Sequence, residues 1–237
     1  MAIKGILFDK DGTLLDYGAT WIPLNRAAAL AAADGDAGLA ARLLAAAGYD
    51  AAAERVLGGS LLAAGTNREI AACWAALLPG RGVAELTDLV ERVYTEGGRR
   101  SATPVAELAP LLRRLKARGL RLGVATSDSA AGAEATLAHF GVIDLLDFLA
   151  GYDSGHGAKP APHLVEAFCR ATGLAAGEVS VVGDNLHDLE MGRAAGAGLV
   201  VGVLTGTSER GELAPLADHV LASIVDLEAL LDDLAAI

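Results

Sequence analysis

Four short runs limit what this chain can become: "IKGILF" at 3–8, "LRLGVAT" at 120–126, "VSVVG" at 179–183 and "LVVGVL" at 199–204. Each is nearly continuous in apolar character. A strand with one wet face alternates apolar and polar residues, so unbroken runs of this length fit strands covered on both faces of a parallel sheet. Amphipathic helical stretches stand between them: "PVAELAPLLRRLKARG", "SAAGAEATLAHFG", "APHLVEAFCRATG" and "NLHDLEMGRAAGAG". Each stops at a glycine, and the first opens on a proline suited to a first helical turn. Parallel neighbours need right-handed crossovers, so the alternation predicts a Rossmann-like, doubly wound α/β core.

The segment between the first two runs breaks this rhythm. Residues 17–102 read almost wholly helical, with alanine and leucine dominant from Asn25 to Leu57. "TNREIAACWAALLPG" carries a capping-box pattern at Thr66 and Glu69, and "VAELTDLVERVYTEGG" follows. So many helices between two strands of one sheet predict an inserted all-α domain. The expected division is a core of residues 1–16 and 103–237 and a helical domain of residues 17–102. Glycine- and polar-rich segments near 16–20 and 97–103 are the expected linkers.

Composition narrows the function. The 237 residues are 53% hydrophobic and 21% charged, enough apolar material for a substantial core. A formal charge of −11 argues against nucleic-acid partners and anionic membrane surfaces. It leaves room for an anionic small substrate, because a bound cation can reverse the field inside a cleft. No uncharged apolar run reaches the ~20 residues of a membrane span, and "MAIKGILFDKDG" runs into acids too soon for a signal peptide. Cys73 and Cys169 lack metal-ligand spacing and read as buried thiols of a reducing compartment. A cytoplasmic protein, monomeric or homodimeric, is expected.

In an open α/β sheet, ligands bind beyond the carboxyl ends of the strands. The first run ends in Asp9-Lys10-Asp11-Gly12-Thr13, the second in Thr126-Ser127-Asp128, and the third in Gly183-Asp184 with Asp188 close behind. "GHGAKPAP" adds Lys159 just before a helix. Taken singly, each has a bland reading. Asp11-Gly12 is a common turn dipeptide, Thr126, Ser127 and Asp184 suit helix N-caps, and a lone lysine is usually solvated. Taken together, they reach one edge of one sheet. Several carboxylates crowded there repel unless a cation neutralises them, and all-oxygen ligands suit a hard ion such as Mg²⁺. One aspartate facing phosphorus can act as a nucleophile, and a second can move the protons. A lysine and a hydroxyl can hold the transferring oxygens.

In this order the motifs resemble those of the haloacid dehalogenase-like phosphohydrolases. "DKDGT" is similar to the first motif, the strand ending in Thr126 to the second, Lys159 of "AKPAP" to the third and "GDNLHD" to the fourth. "GDNLHDLEMGRAAGAGLVVGVLTG" looks like the phosphoglycolate phosphatase-like branch, in which a helical cap follows the first motif. The resemblance implies Asp9 as nucleophile, Asp11 as general acid and base, and Lys159 as a brace for both nucleophile and phosphate. It implies a phosphate site of Asp11, Gly12, Thr126, Ser127 and Lys159. Mg²⁺ would be held by Asp9, the main-chain carbonyl of Asp11 and Asp184, with Asp188 in or beside the ligand set. Ser127 stands where this branch often has asparagine. The implied substrate is a small phosphorylated metabolite, phosphoglycolate or a sugar phosphate.

The neighbouring activities separate on single residues. Dehalogenases of this class lack an acid at the position of Asp11. A phosphonatase needs a cap lysine, and the lysines are Lys4, Lys10, Lys116 and Lys159, none within 17–102. Ion-pumping ATPases carry "DKTGT", with threonine in place of Asp11. A β-phosphoglucomutase-like mutase shares all four motifs and is the alternative, with a catalytically silent binding protein behind it. Trp21 and Trp74 read as packing residues, His139, His163 and His219 as structural or surface groups, His156 as a solvated loop residue near Lys159, and His187 as a residue between the two acids of the fourth motif. Alternation past the first strand turns the Lys10 side chain away from the acids on either side.

Overall fold

The computed structural model describes residues 2–236. They divide into two compact units, one of the residues up to Asp16 and from Pro104 onward, the other of Tyr17–Thr103. From the amino end come strand β1 (Gly5–Phe8), helices α1 (Tyr17–Ala32) and α2 (Ala37–Ala46), and strands β2 (Tyr49–Asp50) and β3 (Arg55–Val56). Helices α3 (Leu61–Ala64), α4 (Asn67–Ala75), α5 (Val83–Ser101) and α6 (Leu108–Ala117) follow. The chain continues through β4 (Arg121–Ala125), α7 (Ala130–His139), β5 (Phe148–Ala150), α8 (His163–Thr172), β6 (Val179–Gly183) and α9 (Leu186–Ala195). It closes with β7 (Leu199–Val203), α10 (Arg210–Leu213), β8 (His219–Leu221) and α11 (Leu227–Ala235).

Among the described residues, six strands form one parallel sheet in the order β5-β4-β1-β6-β7-β8. The chain winds outward from β1 through β4 and β5, then restarts on the other side through β6, β7 and β8. The reversal falls at β1, and such a reversal opens a crevice at the carboxyl ends of the strands. Every residue of β1, β6 and β7 is buried, as their unbroken apolar runs require. Leu7 and Val181 pack on one side against Leu164, Val165 and Phe168 of α8. Strands β5 and β8 went unseen in the sequence because each has only three residues.

Helix α6 begins at Leu108, not at Pro104 as the proline suggested. Pro104 instead pairs antiparallel with Leu15, and the Val105 amide donates to the Leu14 carbonyl at 3.0 Å. The outgoing and returning connections therefore run side by side, and their pairing takes the place of a first helical turn. The expected linkers also shrink: 17–20 lie in α1 and 97–101 in α5. Gly97 serves packing rather than a hinge, since a Cβ there would stand 2.2 Å from Cδ2 of Leu24 in α1.

The second unit is not all-α. Strands β2 and β3 form an antiparallel hairpin, with Tyr49 opposite Val56 and Asp50 opposite Arg55. The Asp50 carboxylate accepts from the amides of Ala52 and Ala53 and so shapes the turn, a local bond that alanine-rich composition conceals. Around the hairpin, Leu43, Trp74, Leu86 and Val90 are wholly buried in one core. The Trp74 indole donates to the Leu43 carbonyl at 2.9 Å, and Trp21 packs edge-on against Tyr94. The Thr66–Glu69 capping box is formed as the sequence predicts. Cys73 and Cys169 are free and only half-buried, more exposed than their apolar settings implied.

Candidate active site

Phe8 stands opposite both Val124 and Val182. The next residues on three adjacent strands, Asp9, Ala125 and Gly183, therefore stand at one level at the carboxyl edge of the sheet. Asp9 is locked there by its own amide, which donates to the Val182 carbonyl at 2.8 Å. Beyond it the chain folds into a tight turn: the amides of Leu14 and Leu15 both donate to the Lys10 carbonyl, and Gly12 takes φ +90. Only glycine fits at 12. A side chain would be strained at that φ, and its Cβ would meet the Asp184 carboxylate at 2.4 Å.

Three carboxylates meet at this level. Oxygens of Asp9, Asp184 and Asp188 lie within 4.8 Å of one another, and all three residues are buried. Asp188 is in the first turn of α9, where its Oδ2 accepts from the Asn185 amide in a capping box while its Oδ1 meets Lys159. The Lys159 ammonium spans 2.5 Å to Asp9 and 2.6 Å to Asp188. Asp184 accepts from the Thr207 amide at 3.0 Å, and the Thr13 hydroxyl approaches its other oxygen at 3.5 Å. Two glycines admit this crowding. A Cβ on Gly183 would lie 2.2 Å from Asp188, and one on Gly206 would lie 1.8 Å from Asp184.

Burial raises the Asp9 carboxyl to about 7, and the charges of Asp188 and Asp11 add to the rise while Lys159 opposes it. Asp184 is pushed well above the usual carboxylate range by burial and then by Asp9 and Asp188. Burial works against the Lys159 charge, but Asp188 and Asp9 outweigh it and hold its pKa above the ordinary lysine value. Three carboxylates against the Lys159 ammonium leave an excess negative charge in a buried space. Oxygen donors with that imbalance fit a hard divalent cation.

The other residues singled out in the sequence fall around this centre. Thr126 is buried, and its hydroxyl accepts from the Asp128 amide at 3.1 Å. It is not a helix N-cap: Ser129 caps α7, and Asn185, not Asp184, caps α9. Ser127 is exposed. The Asp11 carboxylate is not part of the three-acid cluster. It pairs with Lys10 at 2.7 Å, which corrects the expectation that Lys10 points away from both flanking acids. Alternation lapses because β1 ends at Phe8 and the turn at 10–15 redirects the side chains. Lys10 is buried, and its ammonium also reaches Asp128 at 3.2 Å. Burial opposes its charge too, but Asp11 and Asp128 hold its pKa above the ordinary value. His156 lies beside the Phe148 ring and His187 is half-buried in α9.

Thr13 has a place in the first motif but no role in the sequence reading, which missed Thr205 and Thr207. The Thr205 hydroxyl donates to the Gly12 carbonyl at 2.6 Å, so the loop after β7 holds the first turn in place. The signal was present: "TGT" at 205–207 ends the fourth apolar run, at the same edge as the other motifs.

A parallel sheet reversing at its first strand, with acids and a lysine at the reversal, defines an α/β protein with a ligand site at the carboxyl ends of its strands. A family model for haloacid dehalogenase-like hydrolases matches residues 3–196, and the chain belongs to that family. Over 196 residues it is 27% identical to an N-acetylmuramic acid 6-phosphate phosphatase of Pseudomonas aeruginosa, covering 83% of this chain and 80% of that one. It is 29% identical to a phosphoglycolate phosphatase of Yersinia pseudotuberculosis over 195 residues, 82% of this chain and 78% of the relative. The crystal structure of a hydrolase from Pseudomonas syringae shares the fold, with TM-score 0.69, 23% identity and 98% of each chain covered. The family is one of hydrolases, and both of these curated relatives are phosphatases.

Proposed function

We propose that this enzyme is a Mg²⁺-dependent phosphatase that hydrolyses a small phosphate monoester through an aspartyl-phosphate on Asp9. The observation that carries the reading is the buried carboxylate of Asp9, bound to Lys159 beside Asp184 and Asp188 at the sheet reversal. With its carboxyl raised to about 7, Asp9 is only partly ionised at neutral pH in the absence of a cation. A divalent ion held by Asp9, Asp184, Asp188 and the Asp11 carbonyl supplies the positive charge that keeps Asp9 ionised and offsets the charge of the phosphate.

The protein groups then divide the work. Asp9 attacks phosphorus and displaces the alkoxide. Asp11 gives that oxygen a proton, and later takes one from the water that hydrolyses the acyl phosphate. Lys159 and the Thr126 hydroxyl hold the transferring oxygens, with Gly12 and Ser127 beside them. The helical unit Tyr17–Thr103 acts as a cap that excludes water during the reaction and opens for release. Its insertion directly after the first motif supports that role, because the chain enters and leaves it through the paired connections at Leu15 and Pro104. Phosphoglycolate is the leading substrate and a sugar phosphate the next, as the names of the relatives suggest. Two free thiols suit a reducing cytoplasm. Among the described residues no helix is long and apolar enough to cross a membrane.

The test is turnover of 4-nitrophenyl phosphate with Mg²⁺, with excess chelator, and by Asp9→Asn, followed by a panel of phosphorylated metabolites. Activity that needs the metal and disappears in the variant is expected. Turnover that survives either change removes the proposed mechanism.

A further inference from the structure

The mechanism above makes no use of Lys10, although it is among the most deeply buried polar side chains described. Its side chain is 2% exposed, and an ammonium in such a place is tolerated only when carboxylates surround it. Its partners come from two different strand ends. Asp11 belongs to the turn after β1, and Asp128 follows β4. Asp128 is itself fixed: its Oδ1 accepts from the Ser129 amide at 2.7 Å, and its own amide donates to the Thr126 hydroxyl. The lysine's main chain is fixed as well, since its carbonyl accepts from Leu14 and Leu15. A rigid stem therefore carries a charge that binds the proposed proton carrier at one end and the loop bearing the proposed phosphate ligand at the other.

We propose that Lys10 is a positioning residue for Asp11, a strut that sets where the Asp11 carboxyl stands relative to the Thr126 loop. The inference rests on the proton-transfer role proposed for Asp11. The strut ties down Oδ2 of Asp11 and keeps the carboxyl from swinging toward the acids around Asp9. Without it, the fold still closes, because Asp11 and Asp128 are 19% and 34% exposed and can be hydrated. What is lost is alignment with the leaving oxygen, a misplacement for which proton transfer is unforgiving.

A purely structural lysine would affect all substrates equally, whereas a strut for the proton donor would not. Phenyl phosphate and 4-nitrophenyl phosphate have similar shapes, but phenolate is much the poorer leaving group and depends more on the proton. The experiment measures kcat/KM for both esters in wild type, Lys10→Met, Lys10→Arg, Asp128→Asn and Asp11→Asn, with thermal melts to confirm folding. Lys10→Met is expected to lose about tenfold more on phenyl phosphate than on 4-nitrophenyl phosphate, a part of the roughly hundredfold or more that one proton-transfer group contributes. Asp128→Asn should shift the ratio the same way by less, Lys10→Arg should restore most of it, and Lys10→Met with Asp128→Asn should be no worse than Lys10→Met alone. Asp11→Asn sets the reference. If it skews the ratio while Lys10→Met and Asp128→Asn lower both esters equally or not at all, the strut is refuted and the role of Asp11 stands. If Asp11→Asn leaves the ratio unchanged, the proton role falls and the strut falls with it.

Discussion

Two buried lysines stand at the carboxyl end of the sheet, each between two aspartates, yet they occupy different electrostatic settings. Lys159 bridges Asp9 and Asp188, whose side chains are 10% and 3% exposed, and Asp184 adds a third buried carboxylate. Lys10 bridges Asp11 and Asp128, both of which reach solvent. Water can screen the second cluster, so its excess negative charge costs little. It cannot screen the first, which therefore calls for a cation. The contrast separates a buried acidic cluster that could hold a cation from a hydrated one whose charges are already screened.

Lys159→Met tests the contrast most severely. It leaves three buried acids facing one another, and breaking a buried ion pair from one side costs about 3–5 kcal/mol. A fall of at least about a hundredfold in kcat/KM is expected. The melting temperature should drop as well, with partial recovery in excess Mg²⁺; Lys10→Met should show neither the large drop nor the recovery. Equal effects of the two substitutions, read by kinetics and melting with and without the ion, would erase the distinction.

Metal removal sharpens it next. The folded pKa of Asp9 is about 7, above the usual carboxylate value. The folded chain therefore binds more protons than the unfolded chain between about pH 4 and about pH 7. Metal-free stability should fall through this group as pH rises across that window. Saturating Mg²⁺ should remove the slope and add roughly 5–10 °C at neutral pH, the shift expected at about a hundred times Kd. A metal-free melting profile that rises steadily across the window would contradict the charge imbalance.

The smallest effect belongs to the opposite end of the sheet. Asp147 accepts from the Leu122 amide and pairs with Lys116 and Arg121 at the start of β4 and β5. Burial alone would raise its carboxyl, but Lys116, the Leu122 amide and Arg121 together hold it below the usual range. That stabilisation is present above the ordinary carboxylate pKa and is lost as pH falls through the folded value. Asp147→Asn should therefore lower the melting temperature by about 2–4 °C at neutral pH, with the difference closing in acid and kcat unchanged. A loss of activity there would mean that the two ends of the sheet are not functionally separate.

Much of the first cluster was legible before any coordinates. Apolar runs that stop at Asp9, Thr126 and Asp184 give the strand ends away, and parallel strands bring their ends to one edge. The second cluster was not legible. Alternation predicts side-chain direction only within a strand, and β1 ends one residue before Asp9. The turn after it, with Gly12 at φ +90 and two amides on one carbonyl, decides where Lys10 goes. The hairpin Tyr49–Val56 was hidden for a related reason. Alanine-rich sequence favours helix by propensity, but the bonds of Asp50 to its own turn and the burial of Tyr49 and Val56 outweigh that preference.

By itself the sequence determined the class of sheet, the insertion after the first strand and the residues delivered to its edge. Each of these follows from local pattern and from the rule that parallel strands are covered on both faces. The tertiary structure alone decided which acids cluster, that Thr205 and Thr207 brace the first turn and Asp184, and that Lys10 joins two motifs. Those outcomes depend on distances between residues far apart in the chain. They also depend on glycines at 12, 183 and 206, whose missing side chains let the carboxylates approach, a closeness that no periodicity records.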